Sequence, residues 1–123
     1  ILARIINPDF ELLNETDQTA LIDKCQFAVR KLAHFSVYTV LGTLALFALS
    51  FHEKLNAKKR ILFSSLICLA YAVSDEIHQY FVPGRSCRLL DILIDFCGSL
   101  FGISIIFIIT LIITKNKIKI NDK

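Results

Sequence analysis

The chain has 123 residues, 54% of them hydrophobic, with four glycines, two prolines and a formal charge of +3. That length makes one domain, and that composition excludes a disordered or low-complexity polymer. The apolar content exceeds what a soluble core of this size needs and is gathered in blocks, which points to an all-α polytopic membrane protein with three spans.

Taken in chain order, residues 1–15 hold Pro8 and mixed polarity and are expected to form a loop. Thr16 or Asp17 is placed to cap a helix, because a side-chain oxygen there accepts the first free amide protons. Leu21, Ile22, Cys25 and Val29 then recur at helical spacing. Residues 1–33 are thus an extracytoplasmic loop followed by a juxtamembrane helix that runs into the first span. The first residue is Ile1 and not Met, and an outward first segment requires a chain that has already crossed, so a further helix or a cleaved signal is expected upstream.

Residues 34–51 form the first span: 35–51 carry no charge, and with His34 they make about 27 Å of helix. The stretch HEKLNAKKR, 52–60, is a cytoplasmic loop. Residues 61–82 form the second span. Its apolar part, 61–73, covers only about 20 Å, so the helix continues through Asp75, Glu76 and Gln79 until Pro83 and Gly84 stop it. That continuation carries acids into the outer third of the membrane.

Residues 83–91 make an outer corner, short enough that the helices on either side are antiparallel neighbours whose outer ends meet. Residues 92–114 form the third span, with Asp95 their one charge over roughly 33 Å. Residues 115–123 are a basic cytoplasmic tail. It is short and aliphatic, which suits anionic inner-leaflet lipid and not nucleic acid.

Orientation follows from the cations. Eight of the fourteen Lys and Arg lie in 52–60 and 115–123, which the positive-inside rule makes cytoplasmic, while Arg4, Lys24, Arg30, Lys31, Arg85 and Arg88 fall outside. Of the four cysteines, Cys68 and Cys97 fall within spans and suit packing. Cys25 and Cys87, both on the outer side, could pair, but no Cys-x-x-Cys or metal-ligand spacing appears.

The polar residues fall on helix stripes, since side chains three and four apart share a face. Asp75, His78 and Gln79 make one stripe, Asp91 and Asp95 another, and Arg30 and His34 a third that continues into the bilayer through Tyr38 and Gly42. The Asp91 stripe continues through Gly98 and Gly102, where GSLFG lets another helix approach closely, either within the chain or from a second copy. Small residues deep and polar residues shallow mark a face turned to protein. An acid at a helix centre costs roughly 2.5 to 3.5 kcal/mol on insertion scales, so a cluster of acids needs compensation. Arg30, His34, Arg85 and Arg88 are the cations at that depth, and guanidinium groups suit bidentate carboxylate pairing. Carboxyls that keep their protons, or a bound divalent cation, are the other solutions.

The strings RKLAHFSVYTVLG, 30–42, and SDEIHQYFVPGRSCRLLDILIDFCGSLFG, 74–102, resemble the VanZ-like membrane proteins, a family named after an accessory factor in glycopeptide resistance. The resemblance runs from about Asn14 to Ile113, so the whole chain, 1–123, is expected to be a single VanZ-like membrane domain. The matching motifs are R-K-x-x-H-F-x-x-Y, then D-E-x-x-Q-x-F-x-x-x-R, then D-x-x-x-[ND]-x-x-G. By position they fall on Arg30, Lys31, His34 and Tyr38, on Asp75, Glu76, Gln79 and Arg85, and on Asp91, Asp95 and Gly98. Cys87 stands where the pattern leads one to expect a small residue such as Gly. The resemblance implies a four-helix protein of the cell membrane, linked to teicoplanin-type resistance, and supplies no reaction.

Two functions follow as expectations. In the first, an outward-facing acid and arginine cluster binds an envelope lipid, a lipoglycopeptide or a partner, with Arg30, Lys31, Tyr38, Gln79, Arg85 and Asp95 as binding residues. In the second, the chain is a membrane-embedded enzyme acting on an envelope lipid or its phosphate. There Asp75, Glu76 and Asp91 serve as general base or ligands of a divalent ion, and His34 relays a proton. Oxygen ligands favour Mg²⁺ or Ca²⁺ over zinc, since no H-x-x-H spacing appears, and the sequence names no cofactor. Transport is least favoured, because three or four helices are few for alternating access and no inverted repeat is visible.

Overall fold

The first long helix starts on Asn14. Its Oδ1 accepts the amide of Asp17 at 2.8 Å and its carbonyl accepts the amide of Gln18 at 3.0 Å, so Asn14 and not Thr16 or Asp17 is the cap. The structure, a computed structural model, describes residues 2–83 and 88–121, with side chains through 115. The fold is all-α: α1 Leu2–Ile6, a 3-10 turn Phe10–Leu12, α2 Glu15–Ser50, α3 Ala57–Tyr80 and α4 Leu89–Asn121. It divides into two compact units, Ile1–Ala33 and His34–Lys123.

In the first unit, residues 1–15 are not the loop expected of them. Leu2–Ile6 is a short helix, and Ala3 and Phe10 pack with Cys25 into a small core edged by Leu13 and Leu21. A single helical turn leaves no periodicity to detect, which is why the sequence showed only a loop. Gln18 Nε2 closes the approach to α2 by donating to the Leu13 carbonyl at 3.0 Å. Cys25 is a buried free thiol, and Cys87 lies outside the described residues.

The second unit is built from α2 onward from His34, with α3 and α4. The helices α2, α3 and α4 are each long and apolar enough to cross a membrane. Asn56 caps α3, its Oδ1 accepting the Lys59 amide at 2.9 Å, so the helix begins four residues before the apolar run. It ends at Tyr80, where the amides of Phe81 and Val82 turn back to the carbonyls of His78 and Gln79 and Pro83 follows with no amide to donate. Helix α4 is already formed at Leu89, inside the expected corner, and continues through the basic tail to Asn121.

What faces inward in this unit is smaller and more polar than what faces outward. On α3 the buried residues are Ser64, Cys68, Ala72 and Glu76, every fourth position on one stripe. On α2 Tyr38, Gly42 and Leu46 are buried, and on α4 Asp95, Gly98, Ser99, Gly102 and Ile103. Val37, Val40, Leu44, Leu62, Leu66, Phe101, Ile108 and Ile112 are exposed. Water would penalise that surface and hydrocarbon would not, so the distribution suits a lipid solvent. The exposed hydroxyls are satisfied locally: Ser104, Thr110 and Thr114 each donate to the carbonyl four residues back.

The glycines set the spacing. A Cβ on Gly98 would collide with the Phe35 carbonyl, one on Gly102 with the Thr39 carbonyl, and one on Gly42 with the Ser99 backbone. Gly98 and Gly102 therefore pack α4 against α2 of the same chain. Cys68 is buried in the seam, as a packing residue should be, whereas Cys97 is exposed on the outer face of α4.

Candidate functional site

The stripe of Tyr38 and Gly42 on α2 leads up to His34, and the Gly98 stripe on α4 leads up to Asp95. Because α2 and α4 meet along those glycines, the imidazole and the carboxylate arrive together. His34 Nδ1 lies 3.3 Å from both Asp95 oxygens and donates to Oδ2. Asp75 of α3 completes the group, with its Oδ2 3.9 Å from the same nitrogen. The ligand atoms of His34, Asp75 and Asp95 all lie within 4.8 Å of one another. The Asp95 side chain is 2% exposed and that of Asp75 44%, so the group has a buried floor and an open lip. Gln79, one turn beyond Asp75, donates to Asp75 Oδ2 at 3.2 Å and steadies it.

Glu76 follows Asp75 by one residue, about 100° around the helix, and takes a different partner. Its Oε1 accepts the Arg88 amide at 2.6 Å, which ties the end of α3 to the residue before α4. Its Oε2, like Asp95 Oδ1, is buried and accepts no hydrogen bond among the described residues. Tyr38 is buried one turn below His34, within electrostatic reach of Asp75, Asp95 and Glu76. Acids from α3 and α4 and a basic ring from α2 thus share one end of the unit, the end away from 51–56.

Asp91 is half-buried one turn before Asp95, its amide donating to the Arg88 carbonyl at 2.8 Å, and is not one of the converging three. Arg30 and Lys31 belong to the first unit. There Arg30 lines a cavity of about 450 Å³ with Leu2, Ala3, Ile22, Cys25, Gln26 and Val29, and Lys31 Nζ stands 5.0 Å over the Phe27 ring. Arg85 lies outside the described residues. His78 is exposed, its Nδ1 donating to the Ser74 carbonyl at 2.7 Å.

Among the described contacts, the His34 ring thus answers Asp95 and the Arg88 backbone amide answers one oxygen of Glu76. The Arg88 amide carried no sequence signal, because every residue but proline has one. Such a group can do two things chemically. It can share one proton between a ring nitrogen and a carboxylate, or it can present one nitrogen and several oxygens to a cation.

The family model described as VanZ/LLP1 matches residues 3–111. No curated protein and no solved structure matches the chain.

Proposed function

We propose that this chain, which belongs to the VanZ/LLP1 family, is a cell-envelope membrane protein that lowers susceptibility to teicoplanin-type lipoglycopeptides. It does so by holding an envelope lipid headgroup or the lipoglycopeptide itself at the outer leaflet. The observation that carries this reading is the open lip of the His34, Asp75 and Asp95 group: Asp75 is half-exposed while the acids behind it are buried. Acids on a face turned to protein are costly to keep, and one presented at a helix end is available to a ligand. The excess of Lys and Arg in 52–60 and 115–123 supports an outward lip. Arg30, Lys31 and Arg85 would add contacts to an anionic headgroup.

Expression in a glycopeptide-sensitive host tests this. The parent chain should raise the inhibitory concentration of teicoplanin and lower binding of a fluorescent teicoplanin to whole cells, and Asp75→Asn should return both to the level of the empty host. Parent and variant behaving alike, at equal abundance in the membrane, would overturn it.

A second reading, an enzyme acting on an envelope lipid or its phosphate, draws on the contact of His34 Nδ1 with buried Asp95. A carboxylate at one ring nitrogen orients the other for proton transfer. Turnover of such a lipid by purified protein, abolished in Asp75→Asn, would favour this reading over binding alone.

A further inference from the structure

We propose that His34, Asp75 and Asp95 bind one divalent transition-metal ion, of the Zn²⁺ or Mn²⁺ class, with an open coordination position at the Asp75 lip. The proposal concerns the same group as the ligand reading above and rests on it for its purpose: the ion would be what an anionic headgroup meets.

The geometry is near that of a ligated centre. The donors come from three different helices and lie within 4.8 Å of one another, with His34 Nδ1 at 3.3 Å from Asp95 and 3.9 Å from Asp75. Nitrogen and oxygen ligands about 2.1 Å from an ion stand roughly 3 to 3.5 Å apart, so closure asks for shifts of about 1 Å. Three protein donors leave room for a fourth ligand, as in sites that exchange water for substrate.

The unsatisfied oxygens are the independent observation. Asp95 Oδ1 and Glu76 Oε2 are both buried and accept no hydrogen bond among the described residues, on side chains that rank among the most deeply buried of the chain. One proton on Nδ1 serves one oxygen at a time, so an ion pair of His34 with Asp95 leaves Asp95 Oδ1 without a donor. A cation in the group bonds to the ring nitrogen and to both aspartates at once, and its second positive charge answers the neighbouring Glu76. The choice of ion follows from the nitrogen. Mg²⁺ and Ca²⁺ take oxygen shells, while an imidazole with carboxylates suits zinc and its first-row neighbours. The sequence pointed toward Mg²⁺ or Ca²⁺ because it showed acids and no paired histidines. The fold puts a ring nitrogen among them.

The test uses the full chain purified in detergent, stripped with chelator and titrated with ZnCl₂ or MnCl₂, following heat release and melting temperature. One saturable equivalent per chain and a raised melting temperature are expected, with binding at least tenfold weaker in Asp75→Asn and in His34→Gln. Asp75 is half-exposed, so its variant should keep the parent's helicity by circular dichroism. Co²⁺ provides a second readout: visible ligand-field bands should appear in the parent and change in His34→Gln. No saturable binding, or variants that bind as tightly as the parent, would overturn the proposal. If Asp75→Asn abolishes teicoplanin protection while the parent binds no metal, the ion is refuted and the ligand reading survives. If the metal binds and protection is absent, the reverse holds.

Discussion

His34 Nδ1 stands 3.3 Å from each carboxylate oxygen of Asp95, sixty-one residues further along the chain, and Asp95 has almost no exposed surface. The pair joins α2 to α4 at the polar end of the second unit and makes each residue's burial conditional on the other.

That dependence can be measured by a double-mutant cycle. His34→Leu alone strands a buried carboxylate and should cost about 3 to 5 kcal/mol of stability. Adding Asp95→Leu to the same chain should recover much of that loss. The measurement is unfolding in mixed micelles, and losses that simply add would show that the two side chains are not coupled.

Glu76 should show the value of one backbone contact. Glu76→Gln keeps an oxygen for the Arg88 amide, whereas Glu76→Ala leaves that amide without its partner, at about 1 to 3 kcal/mol. Hydrogen exchange at Arg88 is the direct readout. Its protection should persist in the glutamine variant and fall in the alanine variant, and equal protection in both would remove Glu76 from this role.

The glycine seam is predicted to tolerate no side chain. Gly98→Ala and Gly102→Ala each bring a methyl onto a backbone carbonyl, which cannot rotate away, and overpacking of this kind costs about 1 to 3 kcal/mol. Thermal melts in detergent should show both variants below the parent. A control at an exposed site, Leu93→Ala, should fall by much less.

Orientation is checked by cysteine labelling in a chain otherwise free of cysteine. Val82→Cys, at the end of α3, should react with an impermeant maleimide in intact cells, and Glu53→Cys, between α2 and α3, only after permeabilisation. The opposite pattern would put the His34 group on the cytoplasmic side.

Much of this was legible in the sequence because hydropathy and a 3.6-residue period dictate it. The three long helices, the stripe from His34 through Tyr38 to Gly42, and the stripe from Asp95 through Gly98 to Gly102 all follow from spacing. What spacing cannot say is which stripe meets which. Asp75 and Glu76 are adjacent, and only the packing of α3 sends one to His34 and the other to the Arg88 amide. Asp91 and Asp95 share a stripe, yet one turn of depth separates the residue that joins the ring from the one that does not. Asp95 was expected among ligand contacts, and the structure makes it the floor of the group. The cap at Asn14 was missed because Thr16 and Asp17 offer equally good oxygens two and three residues later.

Below the polar end, α2 and α4 touch backbone to backbone at Gly42, Gly98 and Gly102, and α3 contributes Ser64, Cys68 and Ala72 to the same seam. Contacts that close fix the two helices in register, so the meeting of His34 with Asp95 is dictated by the bare backbone at Gly98 and Gly102, one and two turns beneath it.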